Sequence, residues 1–220
     1  MLAARLGSAT DDQRIGLPGY WPAKSRLKGC RHGQKGRRPR RLRWWPVASY
    51  RIRTFGDPVL RRPADEVTDI DGRVAKLAQE MHAAMKEANG VGLAAPQIGV
   101  SKRLFVYEIG DSGPRTIINP VIEDAEGEWE HEEGCLSVPG LWFHITRAKR
   151  VRVRGYDLDG KEVSYEGEDM EAKLYQHEVD HLDGRLLLER LDEEQRREAM
   201  RELRRRAQAE HAGQASAAGR

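Results

Sequence analysis

Residues 176–181 read Gln-His-Glu-Val-Asp-His, two imidazoles four positions apart with a carboxylate between them. A helix puts positions i and i+4 on one face, one turn apart, so the spacing asks for a helix at this point. Set that way, His177 and His181 can reach one metal ion while Glu178 stands beside it as a proton carrier. The same letters also arise by chance on polar helices. The pattern therefore needs a third ligand and an enclosing site before it means catalysis.

The chain has 220 residues, 39% hydrophobic and 33% charged, enough for one domain of ordinary size plus extensions. Its charge is unevenly placed. Residues 1–46 hold 12 Lys/Arg against Asp11 and Asp12, while the whole chain is only +3. The remainder is net acidic, so a basic surface for nucleic acid does not follow from the overall balance. Cys30 and Cys135 are too few for a disulfide framework and fit a reducing compartment. No run approaches the roughly 18 apolar residues of a membrane span, and residues 1–17 lack the apolar core of a signal peptide. A soluble, intracellular protein is expected.

Residues 1–46 mix Gly, Pro and Arg without a period of 2 or 3.6 and are expected to be disordered. They could be a basic nucleic-acid arm, an organelle transit peptide, or upstream sequence read in frame from a start placed too early. Scattered Gly and Pro argue against an amphipathic transit peptide, and the early start is preferred, with Val47 as the alternative initiator. Order is expected from about Tyr50, with Tyr50–Arg53 extended and Phe55–Pro58 a turn. Val74, Leu77, Met81, Ala84, Met85 and Ala88 recur at three and four, an amphipathic helix over 71–88 that Asn89-Gly90 should end. Residues 90–99, with three glycines, read as a loop that lets backbone approach something closely.

Runs at 104–107, 116–119, 121–124 and 150–156 are rich in β-branched or aromatic residues and read as strands, with a hairpin turn at 157–160 leading into 163–165. A helix is expected from about Asp169 to the break at Asp183-Gly184, with Met170, Leu174 and Tyr175 on its packing face. Leu186–Leu188 should be buried. Asp192 with Gln195 resembles a capping box opening a final helix that carries Arg196, Arg197, Arg201, Arg204, Arg205 and Arg206 before a frayed tail. The expected domains are 1–46, a basic extension; 47–191, catalytic; and 192–220, a basic helix and tail.

A catalytic metal needs three protein ligands and an open position. Candidates for the third are Cys135, His82, His131, His144 or a carboxylate. Cys135 sits in a Gly- and Pro-bounded stretch, 131–140, where a small buried hydrophobe has less reason to be. A Cys and two His are soft enough for zinc or ferrous iron, and affinity order alone does not choose between them.

Three stretches together resemble the peptide deformylases: Gly90 to Gln97 (Gly-Val-Gly-Leu-Ala-Ala-Pro-Gln), Glu133 to Ser137 (Glu-Gly-Cys-Leu-Ser) and Gln176 to His181. The resemblance spans about Tyr50 to Leu191. It implies an α+β fold, small antiparallel sheets around the helix that carries His177, and removal of the formyl group from the N-terminal formyl-methionine of new polypeptides, releasing formate. It assigns Cys135, His177 and His181 to one divalent metal ion, with ferrous iron expected and zinc or another divalent ion as alternatives. Glu178 would be the general acid and base. Gln97 through its amide and Leu136 through its N–H would be oxyanion donors. Gly92 would offer backbone to the peptide, and Pro96 would stiffen the loop that aims Gln97. Val91, Met170 and Leu174 are expected walls of a methionine pocket, with a plain core role as the alternative.

Glu133 could pair with Arg147. His131 and His144 are taken as surface residues or supports and not as ligands, and Trp142 and Phe143 as flanks of the substrate channel. The implied partners are formyl-methionyl nascent peptides in a bacterial cytoplasm, with no membrane. The Arg-rich final helix suggests contact with ribosomal RNA, against a solvated helix laced with Glu198 and Glu202 pairs. Two other classes compete: a metallopeptidase, from the two-histidine motif alone, and a non-catalytic ribosome-binding protein with a relic metal site.

Overall fold

The computed structural model describes residues 50–110 and 112–218, with side chains as far as Ala209. The expectations for residues 1–46 lie outside that range. Helix α1, Gly72–Glu87, forms where the apolar period places it. Asp71 accepts hydrogen bonds from the N–H groups of Arg73 and Val74, and the stripe Val74, Ala78, Met81, Ala84, Met85 is buried. The helix closes with Asn89 N–H on Lys86 O at 3.0 Å and Gly90 N–H on Met85 O at 2.9 Å. Asn89, not the expected glycine, takes the left-handed turn at φ 55°. Gly90 is small for another reason: a Cβ there would lie 2.9 Å from Leu136.

The expected small-residue loop is mostly regular backbone. Strand β1 (Gly92–Ala94) runs into a 3-10 turn, Ala95–Ile98, which Gly99 ends at φ 84°. β1 pairs with β2 (Leu104–Tyr107), and β2 with β3 (Arg115–Glu126). The two runs at 116–119 and 121–124 are one strand, irregular where Asn119 adopts φ 50° before Pro120. The Asn119 amide fastens this irregularity by bonding both backbone groups of Val67 at 2.9 Å. β6 (Arg150–Tyr156) and β7 (Glu162–Glu168) complete a five-stranded sheet in the order β1-β2-β3-β6-β7. β4 (Trp129–Cys135) and β5 (Val138–Arg147) leave that sheet and pair only with each other. Every named pairing is antiparallel, and the α+β class holds.

Helix α2, Met170–Leu182, lies on one face of the large sheet and α1 on the other. β2 shows how the sequence supports this, since all four of its residues are buried. Phe105 and Tyr107 join Tyr175, Val179 and Leu182 of α2, while Leu104 and Val106 join Val74, Met81 and Met85 of α1. Alternation along a strand sends successive side chains to opposite faces, so a wholly apolar run is required where both faces are covered. Burial of each such side chain contributes about 1.5–3 kcal/mol. Gly167 permits the tight join of β7 to α2, because a Cβ there would meet the Tyr175 ring at 2.7 Å.

After α2 come buried Leu186, Leu187 and Leu188, then α3, Glu193–Ala218. Its start is the expected reciprocal cap, with Gln195 N–H on Asp192 Oδ1 at 2.8 Å and Asp192 N–H on Gln195 Oε1 at 3.4 Å. The helix runs on to Ala218, through residues expected to fray. Ala199 packs with Leu187, Leu191, Val138 and Ile145, so α3 shares a core with the β4–β5 hairpin. Tyr50–Arg53 joins no sheet. Nearby N–H groups brace the centre instead: Arg53 donates to Gln97 O at 2.7 Å and Phe55 to Ser137 O at 2.8 Å. Among the described residues no helix is long and apolar enough to cross a membrane.

Candidate metal centre

Cys135, His177 and His181 place ligand atoms within 4.8 Å of one another. The histidines come from successive turns of α2, as their spacing requires. Cys135 arrives on the end of β4: the Gly- and Pro-bounded stretch 131–140 lies within the hairpin, with only Leu136 and Ser137 turning between its strands. Cys135 Sγ lies 3.2 Å from His181 Nε2. Burial pushes the Cys135 thiol up, but the His181 and His177 charges beside it outweigh burial and hold it well below its usual range. Burial likewise opposes protonation of His177, yet Cys135 and Glu133 raise it well above an ordinary imidazole. A thiolate and two imidazoles beside an open cavity are a donor set that fits one divalent transition-metal ion with a free position.

Behind the ligands runs a chain of buried charges. His177 Nδ1 contacts Glu133 Oε1 at 2.5 Å, which leaves Nε2 of that ring for the centre. Arg147 grips Glu133 with two bonds of 2.8 Å, the pairing expected from sequence, and donates a third to Asp180 at 2.9 Å. Arg190 closes the far end on Asp180, with Nε 3.0 Å from Oδ2. Burial raises the Glu133 pKa, but hydrogen bonds from His177 and Arg147 more than reverse it and keep the carboxylate ionised. Asp180 behaves alike, with burial overcome by Arg190 and Arg147. Gln176 anchors the helix beside this chain, accepting from Ala148 N–H at 3.1 Å and donating to Ala148 O at 2.9 Å.

Sequence reading missed Asp180, Arg190, Gln176 and Ser137. Asp180 stands in Val179–Leu182, a run that the structure buries throughout, where a carboxylate needs partners. His131 is buried and bonds Glu133 at 3.0 Å, so it supports the centre, whereas His144 is exposed.

Glu178 faces the cavity at 3% exposure, its Oε2 without a hydrogen-bond partner among the described residues. Burial pushes its carboxyl up to about 7. Gly92 makes room for it, since a Cβ there would lie 2.3 Å from Glu178 Oε1. Gln97 lines the same cavity. Its Oε1 accepts from Ala94 N–H at 2.8 Å, which turns Nε2 toward Ser137 Oγ at 3.3 Å and Cys135 Sγ at 3.9 Å.

The cavity beside these groups encloses about 540 Å³. Leu136, Val91, Met170 and Leu174 line it, with Leu174 buried and the other three partly or well exposed. Trp142 also lines it, its ring lying against Gly134, where a Cβ would come within 2.8 Å. Phe143, expected beside it, packs instead with the α3 core, because neighbouring strand residues face opposite ways.

A family model described as polypeptide deformylase matches residues 49–197. A peptide deformylase of Acidothermus cellulolyticus is 50% identical over 163 residues, 74% of this chain and 88% of that one. The crystal structure of a peptide deformylase from Legionella pneumophila aligns with a TM-score of 0.69 at 41% identity, over 74% of this chain and 98% of its own. The peptide deformylase structure from Thermus thermophilus aligns with a TM-score of 0.67 at 47% identity, over 70% of this chain and 93% of its own.

Proposed function

The chain belongs to the polypeptide deformylase family, and from that membership together with the geometry of the centre we infer its reaction. It is a metal-dependent hydrolase that removes the formyl group from the N-terminal formyl-methionine of newly made polypeptides, releasing formate. The observation that carries this is the convergence of Cys135, His177 and His181 beside a buried carboxylate whose Oε2 has no hydrogen-bond partner among the described residues. When bound, the ion makes water acidic near neutral pH and polarises a carbonyl. Ferrous iron is the proposed ion.

Glu178 takes the proton from the attacking water and hands it to the leaving amine. A carboxyl with pKa near 7 suits both halves of that task, and its unpartnered Oε2 is free to receive the proton. Gln97 Nε2 and the Leu136 N–H donate to the oxygen as negative charge gathers on it. Val91, Met170 and Leu174 receive the methionine side chain, and Gly92 offers backbone to the peptide. Residues 47–191 form the catalytic domain. The exposed arginines 196, 197, 201, 204 and 205 of α3 form a face for ribosomal RNA, in a bacterial cytoplasm. Loss of ribosome co-sedimentation after deletion of 193–220 is the expected result; unchanged co-sedimentation removes that contact.

The deciding experiment compares formyl-Met-Ala with a blocked internal peptide, using protein purified without oxygen and analysed for metal. Formate release from the first alone is expected, with iron as the ion. Cleavage of the internal peptide would favour the metallopeptidase reading.

A further inference from the structure

Arg206 belongs by sequence to the arginines of α3, and the structure sets it, half-buried, against the β4–β5 hairpin. Ala199, Leu203 and Arg206 recur at i, i+4 and i+7, one side of the helix, and the first two pack against the β4–β5 hairpin. The Arg206 guanidinium donates to Pro139 O at 2.6 Å and to Gly140 O at 3.4 Å, while its Nε is held by Glu202 at 2.7 Å. Gly140, at φ 69°, leaves the guanidinium space, since a Cβ there would lie 3.3 Å from Nη1.

The residues it grips lack a strand partner on β4. Pairing in the hairpin jumps from Gly134 opposite Trp142 to Cys135 opposite Val138. Pro139, Gly140 and Leu141 therefore have no register partner on β4, and they form a wall of the substrate cavity together with Trp142. The groups that perform chemistry are anchored separately, through Glu133, Arg147 and Asp180. Higher on the same strand, Gln195 Nε2 bonds His144 O at 3.1 Å, so α3 ties β5 at two points.

We propose that Arg206 is a positioning residue for the peptide substrate: by holding the Pro139 and Gly140 carbonyls from behind, it sets the bulged segment of β5 that walls the cavity. The C-terminal helix thereby governs substrate binding and not the chemical step. This rests on the deformylase reading. The test uses full-length, metal-loaded protein and a formyl-Met tripeptide. Arg206→Ala should raise KM about five- to tenfold, with kcat within about twofold and metal content unchanged. Arg206→Lys should recover part of the loss, because an ammonium can still reach one carbonyl. Gln208→Ala, which removes an exposed side chain two positions along α3, should leave KM and kcat unchanged. Amide exchange at Gly140 and Leu141 should quicken in Arg206→Ala while that of α2 stays as it was. An unchanged KM, or unchanged exchange at Gly140 and Leu141, would overturn the proposal. No formate from the unsubstituted protein, with the exchange effect present, would sink the deformylase reading and leave the tie itself standing.

Discussion

Glu178 and Gly92 show how closely two residues far apart in sequence constrain each other. Glu178→Gln preserves shape and removes the proposed proton carrier, so metal content should persist while formate release drops by ~10²–10⁴; elemental analysis beside a formate assay checks both halves. Gly92→Ala attacks the same carboxylate from the other side. A Cβ placed 2.3 Å from Glu178 Oε1 must push the carboxylate aside, and a displacement near 1 Å costs on the order of 10²-fold in rate. Its kcat should fall with metal content unchanged; full activity would show that the carboxylate can move without loss. The three proposed ligands and Glu178 were legible because each lies in a short motif. Asp180 and Ser137 lie inside those same motifs, yet their roles were not legible, because their partners Arg147 and Gln97 come from other elements, 33 and 40 residues away.

At the level of elements, the strongest departure from expectation is the β4–β5 hairpin. Glu132, Glu133, Gly134, Ser137 and Pro139 lack the β-branched alternation that marks a strand. The hairpin is held by the core it shares with α3 and by buried ionic contacts, of which the Glu133–Arg147 pair was expected and the Arg147–Asp180 bond was not. Arg147 is their hub, bonded to Glu133 and Asp180 with all three side chains nearly fully buried. Arg147→Met strands two buried carboxylates and should destabilise the protein by about 3–5 kcal/mol, read from denaturant unfolding at neutral pH. Glu133 and Asp180 are held below ordinary carboxylate values. Their contribution is present above the unfolded values near ~4 and is lost as pH falls through the lower folded values. The gap between Arg147→Met and the parent should therefore narrow in acid; a gap independent of pH would count against the network. By contrast α1 followed from its apolar period, α2 from its histidine spacing, and β2 and β6 from their β-branched and aromatic runs, since the helices pack on the large sheet and the strands belong to it through ordinary hydrophobic contacts.

Over the whole molecule, the α+β class came from family resemblance, while strand order did not follow from any local signal. β3 pairs directly with β6, and the intervening hairpin is set outside the sheet. The metal centre bridges that seam, with Cys135 on the hairpin and both histidines on the helix packed against the sheet. Chelation should abolish formate release and lower the thermal midpoint, since anything that binds only the folded state stabilises it. Far-ultraviolet circular dichroism should change little, because the two cores flanking the large sheet contain no ligand. Complete unfolding on chelation would mean that the ion, and not the sheet, holds the protein together.

The placement of the centre also has a consequence for the order of synthesis. Gly92, Gln97, Cys135 and His181 must all be made before the site exists, and α2 has to emerge before the cysteine can meet its histidines. Folding of domains during translation proceeds from the N-terminal side, so the catalytic assembly comes late in the life of each nascent chain. A copy still being translated has no working site with which to deformylate anything. Any processing of a new molecule while it is being made therefore falls to molecules finished before it.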